Sequence, residues 1–246
     1  MESTTPGEKY HESKALFSYR NRGDRARLGH REAQQETDAP MTFFVTGESH
    51  SGDLGGLAGA DATCQRLATE VGAGDSTWRA YLSAYRTVTE PAVNARDRIG
   101  NGPWHNARGV MIAPSVADLH GDIQRDRDLI YRATALTESG ELVNGRVRPE
   151  GTNNEHDMLT GSDSHGRSFP HGRVFPPAVP ATRNQQNLTC NNWTYGGPDG
   201  SAMIGHHGRL SSFNTSWNSS HATSGCSLEK FNETGGAGRF YCFALD

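Results

Sequence analysis

The chain contains no run of eighteen apolar residues, so no membrane span is expected. Its first residues, Met1-Glu2-Ser3-Thr4-Thr5-Pro6-Gly7-Glu8-Lys9, form no apolar leader. His-x-x-x-His and Cys-x-x-Cys spacings are missing, and with them the strong zinc signatures. No Gly-x-Ser-x-Gly elbow marks a serine hydrolase. The glycine-rich stretch 52–59 has no Gly-Lys-Ser/Thr, so it reads as a structural loop and not as a phosphate cradle. Apolar residues are scarce as well, at 34% of 246, with a mean hydropathy of −0.70. A core can form, but much of the chain must be loop. A net charge of −4 argues against a nucleic-acid partner.

What is present divides at about residue 40. Residues 1–40 mix charges of both signs without an apolar period and read as a disordered extension. A short helix is possible around 11–17, and Arg22-Gly23-Asp24 is read as a chance triplet. The folded domain is expected over 41–246. Thr42-Phe43-Phe44-Val45-Thr46 is β-branched and aromatic, hence a strand. In the stretch 60–71, Cys64, Leu67, Ala68 and Val71 fall at i, i+3, i+4 and i+7, which predicts a helix with one buried face. Asp61 suits its N-terminal end and Gly72 its stop. Strands are predicted at 78–83 and 110–113, and a short helix over 115–120 capped by Ser115. Early helices, short late strands and long loops indicate an α+β domain.

Four cysteines, Cys64, Cys190, Cys226 and Cys242, allow three pairings. Their surroundings (a helix face, a terminal aromatic strand, and two ends of a polar Gly/Asn/Ser-rich segment) favour structural bridges over a catalytic thiol. Disulfides persist mainly outside the cytosol. The expectation is therefore an extracellular or surface protein whose export signal is missing from this sequence, with free thiols as the alternative.

Several segments resemble endostatin, the C-terminal domain of certain collagens. They are Cys64-Gln65-Arg66-Leu67-Ala68 with 77–83, Pro91-Ala92-Val93-Asn94 followed by Asp97, Leu159–Arg167, Thr189-Cys190-Asn191-Asn192-Trp193-Thr194, and Cys226 with Cys242. The stretches 52–62 and 235–244 are similar to bacterial endostatin-like domains, which include spirochaete surface lipoproteins that bind host matrix and complement regulators. The resemblance covers about 43–244. It implies a C-type-lectin-like fold, the nested pairs Cys64–Cys242 and Cys190–Cys226, and an exported, non-catalytic binding domain. The chain lacks endostatin's arginine-rich surface and its N-terminal zinc histidines. It also lacks the carboxylate motifs with which true C-type lectins hold calcium; Trp217-Asn218-Ser219 is only a partial echo. No cofactor and no metal ligand are assigned.

The expected binding surface is 187–220, with Asn191, Asn192, Tyr195, His206, His207, Asn214, Trp217 and Asn218. Aromatic faces stack on sugar rings, and amides give directional hydrogen bonds. Trp193 is expected in the core and Trp217 at the surface. The eleven histidines are read as solvated loop residues, and the carboxylates of Glu155-His156-Asp157 and Asp163-Ser164-His165 as turn formers. The expected function is a recognition module for a glycan or an extracellular matrix protein. The alternatives are a hydrolase with a His/Asp metal site and a structural appendage of a larger surface protein.

Overall fold

The structure, a computed structural model, describes residues 38–122, 128–169, 187–209 and 216–246. The extension expected over 1–40, with its helix at 11–17 and the Arg22–Asp24 triplet, lies outside these residues except for 38–40.

The domain is mixed α/β, with few helices and short strands. Its longest strand, β8 (Gly236–Ala244), organises the rest. The strand β1 (Phe43–Val45) runs antiparallel to it, with Phe44 opposite Cys242. The strand β2 (Trp78–Ala80) is antiparallel to the same C-terminal end of β8, and β5 (Asp157–Leu159) runs parallel to its N-terminal part. The sheet continues through β6 (Met203–His206) to β7 (His221–Ala222), both joined antiparallel. A separate pair, β3 (Trp104–His105) and β4 (Met111–Ala113), completes the strands described.

Alternation along a strand sends successive side chains to opposite faces. On β8, Phe240 and Cys242 join Phe44, Trp78, Trp193 and Phe231 in one buried cluster. Tyr241 and Phe243 join Phe43, Trp104, Ile112 and Trp217 in the other. The sheet is thus covered on both faces, which is why 239–244 reads as an almost unbroken aromatic run.

Helix α1 (Gly56–Glu70) packs on the first face through Ala60, Cys64, Leu67 and Ala68. It begins four residues before the expected start, because Gly55 at φ 72° and the Asp53 side chain, which accepts from the Gly55 N–H, turn the loop into it. Asp61 therefore lies inside the helix and not at its end. It accepts hydrogen bonds from the Ala80 N–H at 2.9 Å and from Arg98 at 2.7 Å, tying α1 to β2. Val71, expected on the buried face, is the residue where the helix ends and is 43% exposed. Gly72, at φ 80°, provides the expected stop. The helix α2 (Val116–Leu119) is capped by Ser115, whose side chain accepts from the Asp118 N–H.

The cysteines pair as Cys64–Cys242 and Cys190–Cys226, and no cysteine is left free. The outer bridge pins α1 to β8 across 178 residues, and the inner one closes 36. No described helix is long and apolar enough to cross a membrane. The elements that pattern reading missed include the short strands β3, β5, β6 and β7 and the helix α4 (Leu228–Thr234), capped by Ser227 and ended by Gly235 at φ 99°.

Candidate functional site

Two places combine unusual backbone or side-chain chemistry with candidate residues. The first is α3 (Cys190–Trp193), a single turn in which all four residues have positive φ, from 47° to 65°. It is therefore a left-handed turn. Left-handed helix costs roughly 1–2 kcal/mol per non-glycine residue. Four consecutive residues hold it only because their partners over-determine the geometry. Cys190 is bridged to Cys226. The Thr189 hydroxyl accepts from the Asn192 N–H at 3.0 Å. The Asn192 amide accepts from the Tyr85 N–H at 2.8 Å and donates to the Tyr85 carbonyl at 3.0 Å. Trp193, fully buried as expected, donates from Nε1 to the Ser83 carbonyl at 2.8 Å.

Beside this turn lies an open groove of about 380 Å³, lined by Asn187, Cys190, Asn191, Tyr195, Asp199, Gly200 and Ser201. Asn191 is exposed, and so is Tyr195, at 37%. The groove therefore offers an aromatic face, amides and a carboxylate within one concave surface.

The second place is a buried cluster on the far strands. The β5–β6 register puts Asp157 directly opposite His206. The next strand pairs His221 with Ile204, so His221 lies diagonal to His206 on the same face. His156 precedes β5, and its ring stacks on His206 with centroids 4.3 Å apart. The Asp157 carboxylate is 2% exposed, and among the described residues neither of its oxygens has a hydrogen-bond donor. Three imidazole nitrogens approach it: His156 Nδ1 at 3.2 Å, His206 Nε2 at 3.3 Å and His221 Nε2 at 3.7 Å. Donor atoms of His156, Asp157 and His206 all lie within 4.8 Å of one another. Burial pushes the His156 imidazole below its ordinary value, against the opposing pull of Asp157.

The residues expected on one surface thus separate. Asn191 and Tyr195 meet at the groove, while Asn192 points inward to hold Tyr85. His206 belongs to the buried cluster. His207 is fully buried, its Nε2 3.4 Å from the Asn144 carbonyl, and burial pushes its pKa down to about 4. The expectation of solvated loop histidines is corrected for His120, His156, His206 and His207, all of which are buried.

Trp217 is likewise corrected: it is 4% exposed, packed at a tilt against Tyr81 and edge-on against Tyr241, with Nε1 donating to the Leu119 carbonyl at 3.2 Å. Asn218 donates to the Tyr81 hydroxyl at 3.0 Å, and that hydroxyl lies 2.8 Å from His120 Nε2. Both side chains belong to a buried polar and aromatic network. Asn214 lies outside the described residues.

Of the carboxylates read as turn formers, Asp163 is one, accepting from the His165 and Arg167 N–H groups. Asp157 is not; it is a strand residue. His165 is exposed and faces Asp122, in surroundings unrelated to those of His156. No family model matches this chain, and no curated protein is significantly similar to it.

Proposed function

We propose that the chain is a non-catalytic, extracellular or surface-displayed recognition module with a C-type-lectin-like, endostatin-like build. In this reading the groove beside the left-handed turn takes a glycan. One observation carries it: four consecutive strained residues are held rigid by a disulfide, a cap and a buried tryptophan, with Asn191 and Tyr195 presented at the groove they border. Strain of this kind collects at binding sites, where pre-organisation lowers the cost of ordering on binding. Tyr195 supplies a stacking face, while Asn187, Asn191 and Asp199 supply donors and acceptors for ring hydroxyls. The nested bridges suit an oxidising compartment and a scaffold that displays loops.

The test is a glycan array probed with the oxidised chain, with immobilised matrix proteins in parallel. The reading expects saturable glycan binding that falls at least tenfold in Tyr195→Ala while the melting temperature holds. Binding to a matrix protein alone, lost in the same variant, keeps the groove and replaces the ligand. Binding unchanged by Tyr195→Ala moves recognition off the groove and overturns the proposal.

A further inference from the structure

The buried cluster on β5, β6 and β7 is not used by the recognition reading. We infer that Asp157 and His206, flanked by His156 and His221, form a binding site for a divalent first-row transition ion, zinc above all. A carboxylate taken out of water needs compensation by a counter-charge or by hydrogen-bond donors. Among the described residues Asp157 has no donor on either oxygen, and three imidazole nitrogens lie within 3.7 Å of it. Two imidazoles and a carboxylate are a donor set that zinc accepts, whereas calcium and magnesium want oxygen.

The spacing agrees. Zinc bonds of about 2.0–2.2 Å in a tetrahedron put neighbouring donor atoms about 3.3–3.6 Å apart. His156 Nδ1 and His206 Nε2 lie 3.2 and 3.3 Å from Asp157 Oδ1, and His221 Nε2 lies 3.7 Å from Oδ2.

The outer contacts differ among the three rings. Metal-bound histidines characteristically donate their other ring N–H to an acceptor. Ser220 Oγ lies 3.0 Å from His206 Nδ1, and the Ala222 carbonyl lies 3.2 Å from His221 Nδ1, which turns both Nε2 atoms toward Asp157. His156 is less prepared. Its Nδ1 also touches the Gly235 carbonyl at 3.1 Å and Asn154 Nδ2 at 2.9 Å, and Arg146 Nε reaches 3.5 Å from its Nε2. It joins the ion only by releasing those contacts. The side chain of His221 is 41% exposed and marks the route by which an ion reaches the carboxylate.

The experiment is equilibrium dialysis of the chelator-treated, oxidised full chain against Zn²⁺ alone, with Co²⁺ as a spectroscopic substitute. One zinc per chain is expected, together with the intense visible bands of four-coordinate cobalt, and no comparable binding of Ca²⁺. Asp157→Asn and His206→Gln each weaken binding at least tenfold. His165→Gln, which removes an exposed histidine elsewhere, leaves it unchanged. Sub-stoichiometric zinc, a six-coordinate cobalt spectrum, or equal binding by Asp157→Asn overturns the assignment. Should Asp157→Asn or His206→Gln fail to fold, the wild-type stoichiometry and cobalt spectrum decide alone, and His221→Gln at the mouth adds an expected weakening.

Discussion

The left-handed turn at Cys190–Trp193 and the carboxylate of Asp157 both depart from what local chemistry favours, and they differ in how the departure is balanced. At the turn, each strained residue has visible support: a disulfide for Cys190, the Thr194 hydroxyl for Asn191, the Thr189 and Tyr85 contacts for Asn192, the Ser83 carbonyl for Trp193. At Asp157 the sheet register supplies neighbours, but among the described residues no donor. The first place is complete in itself and presents a surface. On the zinc reading, a bound cation balances the second. The proposed glycan groove rests on strain that the protein itself balances, and the proposed ion site on burial that it leaves unbalanced.

The two bridges offer the largest lever on this contrast. In the chain-entropy picture, closing 178 residues stabilises by about 5 kcal/mol and closing 36 by about 4. Cys64→Ser is expected to raise hydrogen exchange throughout the domain. Cys190→Ser should raise it chiefly between 190 and 226, loosening the turn and leaving the Asp157 cluster protected. Equal exchange in both variants would dissolve the distinction.

Trp217→Ala comes next. Truncating this buried ring should cost about 3–5 kcal/mol in denaturant titrations. An unchanged midpoint would return Trp217 to the surface.

His120 sharpens the comparison from another side, because it is a buried polar group with both nitrogens engaged, by Tyr81 and by the Val116 carbonyl. Burial pushes its pKa down to about 4 from an ordinary 6.5. The unfolded chain therefore binds the proton first as pH falls. The stability due to neutral His120 is complete above pH 6.5 and declines toward pH 4, by up to about 3 kcal/mol. Urea titrations at pH 7.5 and 4.5 should show a larger loss for wild type than for His120→Gln.

The smallest effect is expected at Asn191, which is exposed at φ 56°. Glycine adopts that region at no steric cost, so Asn191→Gly should stabilise by up to about 1 kcal/mol. Destabilisation there would mean that the turn's side-chain contacts outweigh its strain.

Much of the scaffold was legible in local pattern. The aromatic run 42–46, the i, i+3, i+4 spacing of Cys64, Leu67 and Ala68, and Ser115 before an apolar pair each carry a short-range rule that the fold obeys. The cysteine surroundings favoured structural bridges, and the pairing implied by resemblance is the one formed. The Asp157 cluster was not legible, because its members come together only through the pairing of β5 with β6 and of β6 with β7. A strand as short as β5 has too few residues to show alternation, so His156 and Asp157 read as a turn. The exposure expected of Trp217 failed for the same reason: the polar residues around it in sequence face a network built from Tyr81 and His120, some hundred residues upstream.

The most direct check is to compare the stability of wild type and Asp157→Asn with and without zinc. Treated with chelator, the variant should match or exceed wild type, because a neutral amide replaces a buried charge that lacks donors. With excess Zn²⁺ the order should reverse, as the ion stabilises only the chain that binds it. A variant weaker than wild type in chelator, together with a wild-type midpoint that zinc does not move, would show that the protein itself already balances Asp157 and would contradict the account.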